Sequence, residues 1–255
     1  MIVIKTAREL NCMREACRIS ANALKLAGTA VEPGVSTLEI DTLIAKYFEK
    51  VGAKASFLGY GGFPKSSCIS VNNVVIHGIP DKDCILKAGD IVSIDVGAFV
   101  EGYHGDNAYT FPCGDISKEA RALLDATKES LYEGIAAAKA GNRVGDIGHA
   151  VQSYVEARSY SVVRDFVGHG VGAKLHEEPS IPNYGTPGRG VRLMPGMTIA
   201  IEPMINMGDY NVEVLDDEWT TVTSDGSLSA HFEHTVVVTA DGPRILTIPD
   251  DEVRL

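Results

Sequence analysis

Nowhere in the 255 residues do two cysteines stand at C-x-x-C spacing, and the five present (Cys12, Cys17, Cys68, Cys84, Cys113) are odd in number. Both facts argue against a disulfide framework and a cysteine-built zinc site, so reduced thiols in a cytoplasmic protein are expected. Basic residues are also scarce: 23 Lys and Arg stand against 34 Asp and Glu, a net charge of −11. Phosphate backbones and anionic membranes are held by clustered cations, which excludes generic or sequence-specific nucleic-acid binding and membrane-surface binding. An acidic chain is suited instead to holding cations. No stretch approaches the roughly 20 apolar residues that cross a bilayer, and Met1 to Arg8 contain no apolar core of signal-peptide length. The expectation is a soluble, unexported protein. Hydrophobic residues make up 45% of the chain, enough for a substantial core, and no low-complexity linker divides it.

Local signals mark the elements. Thr6-Ala-Arg-Glu9 and Ser36-Thr-Leu-Glu39 match the capping box, in which a hydroxyl and a carboxylate satisfy the orphan N–H groups of a first helical turn. Further helices are predicted over Lys118–Ala138, capped by Ser117, and over Val144–Ala157. Runs rich in β-branched residues predict strands over Ile91–Ala98, His104–Phe111, Met197–Met204 and His231–Val238. An internal repeat then organises them. Gly34 to Glu49 aligns with Gly141 to Glu156 at an offset of 107, and at the same offset Gly89-Asp-Ile-Val-Ser-Ile-Asp95 falls on Gly196-Met-Thr-Ile-Ala-Ile-Glu202. With about twenty residues inserted around Trp219, Asp106-Asn-Ala-Tyr-Thr corresponds to Glu233-His-Thr-Val-Val. In looser register His77-Gly-Ile-Pro80 resembles His176-Glu-Glu-Pro179. The reading is one domain over 1–255, made of two similar α/β halves (about 1–112 and 113–255) related by an approximate twofold axis.

Carboxylates from both halves would meet at that axis. An acidic residue in an apolar strand is costly to bury unless something compensates its charge. Asp95, Asp106, Glu202 and Glu233 all need such an explanation, and a strand cap or an Arg partner, adequate for any one, does not account for four at matching places. His169, in Gly168-His-Gly170, adds a nitrogen on a segment that allows close backbone approach. Four carboxylates with one imidazole suit Mn, Fe, Co or Zn ions, and a pair of such ions points to metal-assisted hydrolysis. Two other motifs fail. Gly168-His-Gly-Val-Gly172 lacks the spacing of a dinucleotide fingerprint, and His176-Glu-Glu has Ser180 where a zinc-protease helix needs its second histidine.

The segments Ser93-Ile-Asp95-Val-Gly, Gly102-Tyr-His-Gly-Asp106, Gly168-His169-Gly170, Ile201-Glu202-Pro203 and Phe232-Glu233-His234-Thr235 resemble, in order, the five metal-ligand motifs of the methionine aminopeptidases of the bacterial type, type I. The resemblance covers nearly the whole chain. It implies a pita-bread fold, an α/β (α+β) architecture of two pseudo-twofold halves around a curved antiparallel sheet. It implies two divalent ions (Co, Mn, Fe or Zn) on Asp95, Asp106, His169, Glu202 and Glu233, with Asp106 and Glu233 bridging. It further implies Glu202 as proton acceptor, His176 at the oxyanion, His77 at the scissile amide, and Tyr60, Phe63, Cys68 and Trp219 around the methionine side chain. Asn72, Val74 and Ser229 match positions that hold a Na or K ion in some members. Leu175 and Ile76 depart from the commoner Phe and Cys, which bears on pocket shape.

The implied job is removal of the initiator methionine from nascent polypeptide N-termini before a small second residue, by a monomer in transient contact with ribosomes. The alternatives are a proline-directed aminopeptidase P or prolidase, which normally carries a further N-terminal domain, and a non-catalytic binding protein on the same fold.

Overall fold

Both capping boxes open helices in the structure, a computed structural model that describes residues 1–251; residues 252–255 of the expected domain span lie outside the described residues. Helices α1 (Ala7–Gly28) and α2 (Thr37–Val51) follow Thr6 and Ser36. Each hydroxyl accepts the N–H of Glu9 or Glu39, and each Glu carboxylate accepts the cap residue's own N–H. Strands β1 (Lys54–Ala55), β2 (Cys68–Val71), β3 (Val74–Ile76), β4 (Ile91–Val100) and β5 (Tyr103–Pro112) complete the first half. The second half opens with α3 (Lys118–Ala137), capped by Ser117, and α4 (Val144–Glu156). Strands β6 (Ser161–Val162), β7 (Gly168–Gly170), β8 (Glu177–Ile181), β9 (Thr198–Ile201) and β10 (Met204–Asn206) follow. The chain then runs through β11 (Val212–Val214), β12 (Thr221–Thr223), β13 (Ser229–His231), β14 (His234–Thr239) and β15 (Gly242–Ile245).

The 107-residue repeat is present in three dimensions. Helix α4 and strand β9 begin 107 residues after α2 and β4, and the isolated bridge Ser36–Ile85 recurs as Arg143–Arg192. Adjacent hydrogen bonds repeat in step: Gly34 N–H to Leu86 O becomes Gly141 N–H to Leu193 O, and Leu86 N–H to Val35 O becomes Leu193 N–H to Asn142 O. The insertion around Trp219 is the β11–β12 hairpin, and β12 pairs across onto β3 of the first half.

All named strand pairs are antiparallel. In the first half β4 carries β5 along one edge and β1 and β2 along the other; in the second the order is β15-β14-β9-β7-β8. Each half has its own apolar core. Ile40 and Ile44 of α2 pack with Val92 and Ile94 of β4, while Leu123, Leu131, Ile147 and Val151 of α3 and α4 pack with Ile199, Ile201 and Phe232. Tyr109 packs against both clusters, which places β5 at the seam.

Hydroxyls close that seam. Thr235 Oγ1 accepts the N–H of Asp106 at 3.1 Å and donates to its carbonyl at 2.8 Å. Thr110 Oγ1 does the same for His231, at 2.9 and 2.8 Å. Each hydroxyl thereby satisfies a buried backbone pair that no strand partner reaches. Two sequence expectations are corrected at the seam. The strand predicted over Met197–Met204 is two strands, β9 and β10, interrupted at Glu202-Pro203, where proline has no N–H for a ladder. The strand predicted over His231–Val238 is likewise broken at Phe232-Glu233 between β13 and β14.

Candidate metal centre

The two breaks aim carboxylates at the seam. Asp95 and Asp106 come from the β4–β5 hairpin, whose turn Glu101-Gly102 has φ of +52° and +85°. Asp95 lies opposite Ala108 and Gly97 opposite Asp106, so both side chains project from one face. Helix α1 backs this hairpin at backbone contact: a Cβ on Gly105 would lie 2.4 Å from Cys17 N. Glu233 joins from the second half, its N–H donating to Ala108 O at 2.9 Å. Glu202 is held at its own carbonyl by Asn183 Nδ2, 3.0 Å away.

His169 sits on β7, squeezed between β8 and β9. The flanking glycines are a spatial requirement, since a Cβ on Gly168 would lie 2.4 Å from Ala200 O and one on Gly170 2.5 Å from Glu178 O. His169 Nδ1 is 2.8 Å from Gly170 O. A carbonyl only accepts, so Nδ1 carries the proton and Nε2 presents its lone pair, the tautomer a metal ligand needs. That Nε2 is 3.5 Å from Glu202 Oε1 and 3.9 Å from Asp106 Oδ2. Ligand-type atoms of Asp106, His169 and Glu233 all lie within 4.8 Å of one another.

The electrostatics of the cluster call for cations. Asp95 Oδ1, Asp106 Oδ1 and Glu233 Oε1 are buried without a hydrogen-bond partner. Burial, and then the charge of the neighbouring carboxylates, holds Asp95, Glu202 and Glu233 well above the usual carboxylate range. Asp106 is raised by burial to about 7. Burial, and secondarily His176, lowers His169 to about 3, leaving it neutral. Unpartnered acceptors, clustered carboxylates with no Lys or Arg against them in any ion pair of the described residues, and a neutral imidazole with a free lone pair fit divalent ions.

A cleft of about 820 Å³ opens over this cluster, and all five residues line it. His77, His176, Tyr60, Phe63, Cys68 and Trp219 line it too. Tyr60 Oη and His176 Nδ1 are 2.7 Å apart, and the His176 ring stands perpendicular to that of His169, centroids 4.2 Å apart. His77 holds a left-handed backbone, φ +58°, with its ring edge-on to Phe166 and Trp219. A non-glycine residue pays for that conformation and keeps it only where its surroundings fix it. Burial lowers His77 to about 4 and also lowers His176. Phe57, Phe63, Cys68 and Leu175 form one buried apolar cluster with Trp219 against it, so Leu175 is part of the pocket wall. His176-Glu-Glu leads into strand β8, as its failure to match a zinc-protease helix implied.

Asn72, Val74 and Ser229 are absent from the cleft lining. Asn72 and Ser229 do meet: Ser229 N–H donates to Asn72 O at 3.0 Å, and Asn72 Oδ1 accepts from Ile91 N–H. One residue beside the cluster escaped sequence reasoning. His231 is buried, and its Nε2 lies 3.6 Å from Glu202 Oε2 with no hydrogen-bond partner. In the segment Ser229-Ala-His-Phe-Glu233, already more than half polar, nothing local singles it out.

A cleft with buried carboxylates and an imidazole at its floor is the centre of a metallohydrolase, and the chain belongs to metallopeptidase family M24, which it matches over residues 11–240. Within that family its relatives are methionine aminopeptidases. Methionine aminopeptidase 1 of Bacillus subtilis is 53% identical and that of Clostridium acetobutylicum 50% identical, each over 97% of this chain and 99% of the relative. The crystal structure of methionine aminopeptidase from Thermotoga maritima, 47% identical, matches with a TM-score of 0.96 over 97% of this chain and 99% of that one. The prolidase of Pyrococcus horikoshii, 22% identical, matches with a TM-score of 0.78 over 100% of this chain and 66% of its own. That likeness is one of fold alone, the pita-bread fold of two α/β halves.

Proposed function

We propose that the chain hydrolyses the peptide bond after an N-terminal methionine, acting as one catalytic domain (halves about 1–112 and 113–255) that holds two divalent ions on Asp95, Asp106, His169, Glu202 and Glu233. The observation that carries this reading is the set of buried, unpartnered carboxylate oxygens of Asp95, Asp106 and Glu233, residues that line the cleft together with His169. Asp106 and Glu233, whose ligand-type atoms group with that of His169 within 4.8 Å, would be shared by the two ions, as family likeness implies. Bound divalent ions would supply Lewis acidity at the scissile carbonyl and acidify a captured water. Glu202, whose Oε1 lies 3.5 Å from His169 Nε2, would accept the proton released in the cleft, and His77 would assist the leaving amine. In the tautomer in which Tyr60 Oη donates to His176 Nδ1, 2.7 Å away, His176 Nε2 carries its proton toward the cleft, where a neutral imidazole donates to a developing oxyanion. His77 contacts the amide from the other wall.

Phe63, Cys68 and Trp219, with Leu175, offer an apolar and polarisable wall that suits an unbranched thioether, and Tyr60 lines the same cleft. A small second residue, Co, Mn, Fe or Zn as the divalent ions, and a Na or K ion at Asn72, Val74 and Ser229 rest on family likeness. So do nascent chains as substrate, transient ribosome contact and a monomeric state. Five free cysteines agree with a cytoplasmic setting.

The test is methionine release from Met-Ala-Ser after metal removal and re-addition of Mn²⁺, Co²⁺, Fe²⁺ or Zn²⁺. Restored cleavage by the wild type and none by Asp106→Asn is the expected result. Cleavage of Xaa-Pro peptides instead, or no cleavage by folded, metal-loaded protein, would overturn the reading.

A further inference from the structure

Among the described residues, one ion pair with Lys or Arg has both side chains nearly out of solvent: Lys5 Nζ to Glu177 Oε2, 2.5 Å apart, with side chains 2% and 8% exposed. Every other such pair is at least 40% exposed on both sides. Two buried charges lose their hydration, and an apolar pair of similar volume generally stabilises a fold at least as well, so general stability is a poor reason for a buried ion pair. The location supplies a better one.

Glu177 is the residue after His176, and Lys5, His176 and Glu177 all line the cleft. Both Glu177 oxygens are engaged, Oε2 by Lys5 and Oε1 by the N–H of Lys174 at 3.2 Å. Lys5 is itself anchored, its N–H donating to Gly196 O at 2.9 Å. Gly172 leaves the room this requires, because a Cβ there would lie 2.5 Å from Glu177 Oε1 and 2.7 Å from Lys5 Nζ. The segment from Gly172 to Glu177 is thus tied at its acidic end to a cation delivered from the residues before α1. His176 has Tyr60 Oη on one side and the Glu177 anchor on its backbone.

We infer that Lys5 is a positioning residue of the cleft: through Glu177 it fixes the His176 loop and hence the His176 ring. The inference rests on the reading of His176 as a substrate-facing donor. A displaced donor loses its value mainly in the transition state, so the loss falls on kcat rather than on KM.

The experiment uses metal-loaded wild type, Lys5→Met, Lys5→Arg, Glu177→Gln, His176→Ala and the double variant Lys5→Met/His176→Ala on Met-Ala-Ser, with ¹³C-histidine spectra of the metal-free proteins. Lys5→Met should lower kcat about tenfold or more and move KM less than about threefold, with metal stoichiometry unchanged. Lys5→Arg should recover most of the loss. In the His176→Ala background Lys5→Met should cost nothing further, and the His176 Cε1–Hε1 resonance should shift in Lys5→Met while that of His234 stays. Wild-type kinetics in Lys5→Met, independent multiplication of the two losses, or an unmoved His176 resonance would overturn the inference. Should Lys5→Met fail to fold, Glu177→Gln carries the same expectations; failure of both, with Lys5→Arg folded, overturns it in favour of a purely structural pair. An inert wild type refutes the proposed function instead, and the spectra still decide the role of Lys5.

Discussion

Asp106→Asn should stabilise the metal-free protein at neutral and alkaline pH while abolishing its metal binding. The carboxyl is buried, one oxygen has no partner, and its pKa is raised from 3.8 to about 7. That rise corresponds to about 4 kcal/mol of differential interaction. The sign follows from linkage: a carboxyl raised on folding contributes its full stability below the unfolded value near 4 and loses it as pH climbs through about 7. Asparagine has the same shape and no charge to lose. Its buried amide costs on the order of 1–3 kcal/mol if unpaired, at every pH. The variant should therefore be equal to or slightly less stable than wild type at pH 4, and more stable by about 2 kcal/mol at pH 8. For a chain of this size the difference in Tm should swing by roughly 10 °C between the two pH values. Thermal unfolding in the presence of a chelator at pH 4, 6 and 8 measures it. Added Mn²⁺ at a hundred times its Kd should raise wild type by about 2.7 kcal/mol and leave the variant unmoved. A Tm difference independent of pH, or one that favours wild type increasingly as pH rises, would refute the account of the cluster as uncompensated buried charge.

Other perturbations test the elements that hold the cluster. Gly170→Ala places a Cβ 2.5 Å from Glu178 O; it should cost about 1–3 kcal/mol in thermal or urea unfolding and weaken metal affinity by moving His169. Thr235→Val leaves the N–H of Asp106 without its acceptor across the seam, a loss of about 1–3 kcal/mol in chemical denaturation. Trp219→Ala opens the apolar wall formed with Phe63; KM for Met-Ala-Ser should rise and preference over Leu-Ala-Ser shrink, as steady-state kinetics would show. Titration calorimetry in buffers of different ionisation enthalpy should find protons released on metal binding at pH 6.5, since ligands must be ionised, with release declining above pH 8 as Asp106 loses its proton beforehand.

What sequence reveals here follows the range of the forces involved. Capping boxes at Thr6 and Ser36 are local chemistry, settled within four residues, and both helices begin where that chemistry places them. The offset of 107 was readable because the same contacts, Gly34 with Leu86 and Gly141 with Leu193, impose the same residue pattern twice. Charge in an apolar run disclosed Asp95, Asp106, Glu202 and Glu233, because only a compensated site tolerates it. The break at Glu202-Pro203 had a local sign in the proline, outweighed by the β propensity on either side, whereas that at Phe232-Glu233 is set by the other half of the molecule, where Glu233 N–H meets Ala108 O. His231 and Lys5 were missed for a related reason. Each is an ordinary polar residue in its own neighbourhood and acquires significance from a partner far along the chain, Glu202 for one and Glu177 for the other. Residues that would hold a metal therefore leave a mark in their own segment, the cost of burying charge, whereas groups that position other side chains leave theirs in pairs of segments.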